Sequence, residues 1–188
     1  METGPVAISV FDSDMGWIGL AVSNETGQAA MTCILLGQPS REAAERVLAS
    51  QARSKSVAEG AARAPELAPL LEEAQAQMLE FLAGKRRELT VPIDLSQGTV
   101  FQRRVWKTIQ HIPYGGLRSY KWVATRVGGP QYARAVGLAL GANPIPIIVP
   151  CHRVVAQDGS LGGFSCGLGI KRRLLCLEGT LDQVTENR

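Results

Sequence analysis

The sequence predicts an α+β fold with strands and helices segregated along the chain. Three observations carry that expectation. Short apolar runs separated by turn residues open the chain, helical periodicity takes over by residue 67, and two short helical segments joined by GGP follow residue 118.

The opening runs are residues 6–11 (VAISVF), 17–22 (WIGLAV) and 29–36 (AAMTCILL). Their separators, DSDMG and SNETG, carry turn chemistry, so the three read as an antiparallel meander. Residues 41–58, rich in Ala, Arg and Glu, read as a helix with a weak apolar stripe. The next helix is sharper: Leu67, Leu71, Ala74, Met78 and Phe81 recur at helical spacing and Gly84 supplies a stop. KRRELTVPIDL then reads as an exposed connection, made irregular by Pro92. It sets a domain boundary near residue 90: an α/β domain over 1–90, a second domain over 91–180, and a loose tail over 181–188.

In the second domain, Phe101, Val105 and Ile109 repeat every fourth residue behind Thr99, a natural N-cap, and IPYGG ends that helix. SYKWVATRV, GGP and QYARAVGLALGAN follow, either a helix-turn-helix or a plain core hairpin. Ala, Gly, Val and Leu dominate the second of these helices, and Arg134 is its only charge. So little bulk permits close approach to a groove but reads few base edges.

Hydrophobic content of 45% and charged content of 20% are those of an ordinary globular protein. No apolar stretch reaches the roughly 18–20 residues of a membrane helix, and METGPVAISVF lacks a secretory layout. An intracellular protein without a membrane partner is expected. Cysteines at 33, 151, 166 and 176 make no CxxC pair, and His111 and His152 lie far apart, so neither a metal site nor a disulfide framework is expected. Charge is uneven: the net is −6 over residues 1–84, +8 over 85–134 and +1 over 135–188. The basic segment suits a polyanion, nucleic acid being the commonest, or is simply a solvated face.

The chemistry concentrates in PIPIIVPCHRVV, residues 144–155. A cysteine in an apolar run is usually core, but Pro150 breaks ladder pairing beside it, and His152 and Arg153 are hard to bury without partners. Prolines at 144, 146 and 150 make a stiff connection, which suits a positioned nucleophile. A thiol near pKa ~8.5 is mostly protonated at neutral pH. A neighbouring His can take its proton, and a carboxylate can set the tautomer of that His. Neighbouring residues on a strand point apart, so a bridging water is expected. Few acids follow residue 94, and Glu178 in RLLCLEG is one candidate. Cys33 and Cys176 sit in apolar patterns and read as core, and His111 reads as a surface residue or cap.

PCHRVV, with DGSLGGFSCGLGIKRRLLCLEG after it and TVFQRRVWKTIQHIPYGGLRSYKWVA and ARAVGLALGANPIPI before it, resembles the O6-alkylguanine-DNA alkyltransferases, also called methylated-DNA–protein-cysteine methyltransferases. The resemblance spans nearly all of residues 90–179; residues 1–89 fit only in layout. It implies a ribonuclease-H-like antiparallel sheet with helices, followed by a mostly helical winged-helix-like domain that carries the helix-turn-helix and the cysteine. It further implies a DNA repair protein that flips O6-alkylguanine out of the duplex and takes the alkyl group irreversibly onto Cys151, once per molecule and without a cofactor.

By the same resemblance His152 relays the thiol proton through water, Glu178 orients it, and Asn143 is a hinge residue. Tyr120 assists rotation of the nucleotide and donates to the leaving guanine. Arg134 fills the vacated stack, while Ala135, Gly137 and Ala139 allow close approach to the minor groove. Pro146, Val154, Val155, Phe164, Ser165 and Cys166 would line the pocket. The partner implied is double-stranded DNA bearing the lesion, met by a monomer with cooperative assembly left open, in the cytoplasm of a prokaryote or the nucleus of a eukaryote. Phe164 stands where the family often has Tyr, so any hydroxyl contact from that position is lost. Cys166 stands where Gly or a larger residue is common, either as inert filler or as a second thiol that alters substrate size preference or oxidises with Cys151. Two other classes remain: a lesion-recognition protein that does not react, whose known relatives lack the cysteine, and an unrelated cysteine hydrolase.

Overall fold

Alternation along VAISVF sends Val6, Ile8 and Val10 to one face of a sheet and Ser9 to the other. The computed structural model describes residues 5–51, 57–59 and 64–185, and the chain divides into two units, Met1–Asp94 and Leu95–Arg188. In the first, β1 (Val6–Phe11), β2 (Trp17–Ser23) and β3 (Ala30–Gln38) form the antiparallel meander. Helices α1 (Arg41–Gln51) and α2 (Ala68–Leu82) cover its two faces. Ala44 and Leu48 of α1 close a core with Val6, Ile8, Val10, Ala21, Cys33 and Leu35. On the other face Ser9 Oγ donates to Gln75 Oε1 of α2 at 2.7 Å, and Leu71, Ala74, Met78 and Phe81 are buried. A sheet covered on both sides needs apolar residues at successive positions, which is why the strands read as runs.

Two expectations for this unit are corrected. The helix predicted to run to residue 58 does not: α1 is described as far as Gln51, and Val57–Glu59 forms a fourth strand, β4, parallel to β1; residues 52–56 lie outside the described residues. The connection after Gly84 is not exposed throughout: Leu89 and Val91 are buried. Met31 N–H donates to Pro92 O at 2.8 Å and Asp94 N–H to Met31 O at 2.9 Å. An edge strand leaves backbone groups unpaired, and this segment satisfies those of Met31 on β3.

The second unit is built on helices α3 (Val100–Ile109), α4 (Tyr120–Val127) and α5 (Ala133–Gly141), packed against one another. Thr99 caps α3 in a full capping box: its side chain accepts from Gln102 N–H, and the Gln102 side chain accepts from Thr99 N–H. The Trp106 indole N–H donates to Ala139 O at 2.8 Å, tying α3 to α5 through the core. Gly129, at φ 141, turns the chain from α4 towards α5. Two short parallel strands, β5 (Arg118–Ser119) and β6 (Val154–Val155), bring the start of α4 beside the end of PCHR. Helix α6 (Leu168–Leu177) buries Lys171, Leu174 and Leu175. Cys176, expected in the core, is exposed, because it lies off the face shared by those three. Cys33 is buried as expected.

Residues 181–185 are not a loose tail. Leu181–Gln183 form a 3-10 turn, and Val184 packs with Val155, Leu161 and Leu175. Thr185 N–H donates to Gly159 O at 2.9 Å. These apolar contacts and the backbone pairing repay the entropy of ordering the segment; residues 186–188 lie outside the described residues. Among the described residues no helix is long and apolar enough to cross a membrane.

Candidate active site around Cys151

Pro150 ends the extended approach, and Cys151–Arg153 coil into one 3-10 turn before β6. All three side chains are buried, so each polar one needs a partner. Glu178, at the C-terminal cap of α6, supplies it. Its Oε1 accepts from His152 Nε2 at 2.8 Å and from Arg153 Nη2 at 2.9 Å, while Arg153 Nε reaches both oxygens at 3.1 and 3.0 Å. Gly115 N–H donates to Oε2 at 3.1 Å, and Arg153 Nη1 donates to Ile112 O at 2.7 Å. Burial works to raise the Glu178 pKa, but the hydrogen bonds from His152 and Arg153 prevail and hold it at about 2. Burial pushes His152 the other way, down from its ordinary value, so the ring is neutral. A neutral ring that donates from Nε2 to a carboxylate carries its lone pair on Nδ1. Nδ1 is buried and makes no hydrogen bond among the described residues.

The thiol is held from the loop before it. Asn143 Nδ2 donates to Val149 O at 2.8 Å and to Cys151 Sγ at 3.0 Å, and its Oδ1 accepts from Ile145 N–H at 3.1 Å. One buried amide thus fastens the loop at three points. Within the loop Ile147 has φ 78, a conformation that costs a β-branched residue on the order of 1–3 kcal/mol and persists only where surrounding contacts over-determine it. Burial pushes the Cys151 thiol up to about 12, against the Asn143 hydrogen bond, which favours the thiolate. The resting thiol is therefore protonated, and it becomes a nucleophile only by losing its proton to a base.

Lys171 is the residue that sequence reasoning missed. It is fully buried, and its ammonium donates to Val154 O at 2.6 Å, to Leu161 O, and to Gly163 O at 3.4 Å. It ties the glycine-rich segment after Cys151 to the strand beside it. Burial pulls its pKa down to about 8, while a negative charge on Cys151 would raise it. Its place three and four residues before Leu174 and Leu175 was the available signal, since that spacing puts it on their buried face.

Tyr120 joins this assembly from the start of α4. Its hydroxyl donates to Gly163 O at 3.2 Å, and a Cβ on Gly162 would lie 2.8 Å from its ring, so glycine there lets the loop close on the tyrosine. Gly137 of α5 looks onto the same ring, with 3.8 Å from an added Cβ to Tyr120 Cε1. Arg134 is exposed, and Ala135 and Gly137 are half-buried. Ala139 is not on that outer face: it is buried, with its carbonyl on Trp106. Leu138, four residues after Arg134 and 75% exposed, stands there instead. Of the proposed pocket wall, Pro146 and Val154 are buried, Phe164 and Cys166 half-buried and Ser165 exposed. Val155 belongs to the core cluster with Leu161, Leu175 and Val184, because adjacent residues on β6 point to opposite sides. His111 is exposed, with Nδ1 2.8 Å from Lys107 O. Among the described residues no group of three or more His, Cys, Asp or Glu could hold a metal ion.

These features define a class: a helix-turn-helix protein that carries a buried, positioned thiol. Residues 100–180 match the family described as "6-O-methylguanine DNA methyltransferase, DNA binding domain". A methylated-DNA–protein-cysteine methyltransferase of Mycobacterium tuberculosis is 53% identical over 102 residues, 54% of this chain and 61% of that protein. One from Methanosarcina acetivorans is 46% identical over 108 residues, 57% of this chain and 69% of that protein. The crystal structure of Mycobacterium tuberculosis OGT in complex with DNA superposes with a TM-score of 0.72 at 35% identity, covering 95% of this chain and 94% of that one. The chain belongs to the methylated-DNA–protein-cysteine methyltransferase family. In sequence, the matched segment spans 61% of the mycobacterial relative's length. The relatives' names favour neither the non-reacting lesion binder nor the cysteine hydrolase.

Proposed function

We propose that this protein repairs O6-alkylguanine in duplex DNA by taking the alkyl group onto Cys151, one group per molecule. The observation that carries the proposal is a buried thiol followed in the same turn by a neutral His152, whose Nε2 is committed to Glu178 and whose buried Nδ1 is left to accept a proton. The thiol proton passes to Nδ1, directly or through a water. The sulfur then forms a bond to the alkyl carbon as the carbon–O6 bond breaks, and the electron pair leaves with the guanine. The Tyr120 hydroxyl, which rests on Gly163 O, turns to donate to the leaving base and offsets its charge. A thioether offers no easy leaving group, so the thiol is not regenerated. The reaction needs no cofactor.

A base inside a duplex must be extruded before a buried thiol can reach it. Arg134, exposed on α5, is assigned to the vacated stack, with Ala135 and Gly137 allowing close approach to the minor groove. Asn143 positions the sulfur, and Pro146, Val154, Phe164, Ser165 and Cys166 form the wall around the base. A substrate in genomic DNA places the protein inside the cell, in the cytoplasm of a prokaryote or the nucleus of a eukaryote. The test is mass spectrometry of the full chain after incubation with a duplex bearing O6-methylguanine and no methyl donor. One added methyl mass on the Cys151 peptide is expected; more lesions repaired than protein molecules present would refute single turnover.

A further inference from the structure

A cleft of about 520 Å³ lies between α3 and α4, lined by Arg103, Arg104, Lys107, His111, Trp122 and Arg126 among others. No carboxylate lines it, and residues 95–157 contain eight Lys and Arg but no Asp or Glu. Three of its cations are held in place. Arg126 stacks on the Trp122 ring with its guanidinium carbon 3.6 Å from the centroid, Arg104 donates to Val127 O at 3.2 Å, and Arg103 donates to Ser96 O at 2.9 Å. Like charges gathered around one cleft repel, and an anion seated among them relieves that repulsion.

The cleft does not belong to the α5 face. At 100° per residue the lining positions of α3 point opposite to Val105, Trp106 and Ile109, which are buried. On α4, Trp122 and Arg126 likewise point away from Val123, Ala124 and Val127. Since Trp106 reaches α5 through the core, the cleft opens on the far side of the bundle from α5. We propose that it is a second anion site, which takes the phosphate backbone of a DNA segment other than the one facing α5. A stripe of cations one helical turn apart suits a chain of phosphates better than a single compact anion. A protein holding two segments can pass from one to the other without release. The count of two rests on α5 as the first DNA face; the cleft itself does not.

The experiment counts short lesion-free duplexes per full chain, by native mass spectrometry with duplex in excess at low salt. Wild type should hold two, and the double variant Lys107→Glu, Arg126→Glu one, with alkyl transfer from a lesion duplex unchanged. Both side chains are exposed, and the neutral pair Lys107→Gln, Arg126→Gln should move the count the same way. If about three phosphates are neutralised, the second binding constant should fall about 40-fold between roughly 50 and 200 mM salt. One duplex on wild type and none on the variant would uphold the cleft and sink the α5 reading. One duplex on both, or two on both, would overturn the proposal. So would a poly-glutamate chain that occupies the cleft and resists displacement by duplex, which would point to an acidic protein instead.

Discussion

Glu178→Gln replaces an oxygen with an NH2 group at the centre of a buried cluster. Two carboxylate oxygens accept from Arg153, His152 and Gly115. Whichever way the amide is turned, its NH2 faces donors, and Arg153, 6% exposed, loses its counter-charge. Removing one partner of a buried ion pair costs about 3–5 kcal/mol, so the variant should unfold at clearly lower urea concentration at pH 7. The pH dependence isolates the carboxylate. Its folded pKa of about 2 lies below the ordinary value of 4.5, so its contribution is complete above 4.5 and is lost as pH falls towards 2. At pH 3 the wild type should have lost about 2 kcal/mol of that advantage, and the gap between the two proteins should narrow by that amount. His152 is also depressed in the fold and Glu178 works to raise it, so both proteins carry His152→Gln in this comparison, which removes that titration from the gap. Urea titrations of both proteins at pH 7, 5, 4 and 3 read the gap directly. A gap below about 1 kcal/mol at pH 7, or one that does not change with pH, would refute the assignment of Glu178 as the buried counter-charge.

Other outcomes follow from single side chains. Lys171→Met should strand the carbonyls of Val154 and Leu161, lower stability by about 2–5 kcal/mol, and slow alkyl transfer by loosening the wall near Gly163; unchanged melting and rate would make the lysine a bystander. Arg134→Ala should slow repair in duplex more than reaction with the free modified base, and equal losses on both substrates would assign Arg134 another role. Cys166→Gly should raise the ratio of benzyl to methyl transfer, since the half-buried thiol touches only bulky groups. An unchanged ratio would leave Cys166 as filler, and alkyl label on its peptide would mean a second nucleophile.

Much of this protein was legible along the chain because local physics decided it. Apolar runs cut by DSDMG and SNETG can only pair as a meander, and Thr99 with Gln102 announces the start of α3 before any contact is known. Pro150 and the adjacent His and Arg marked Cys151 as something other than core filler. The limits fall where a residue's environment comes from a distant segment. A three-residue strand such as β4 has too little periodicity to be seen and exists because β1 offers it an edge. Helix α5 is apolar around most of its circumference, so nothing in its sequence says that Ala139 points inward and Leu138 outward; the packing of Trp106 decides that. Lys171 reads as one of three basic residues in a row, yet its carbonyl partners come from as far as seventeen positions away. The residue types of the reaction are thus a property of the sequence. Their protonation states depend on burial and on partners 25 and 26 residues apart, and only the folded chain supplies those.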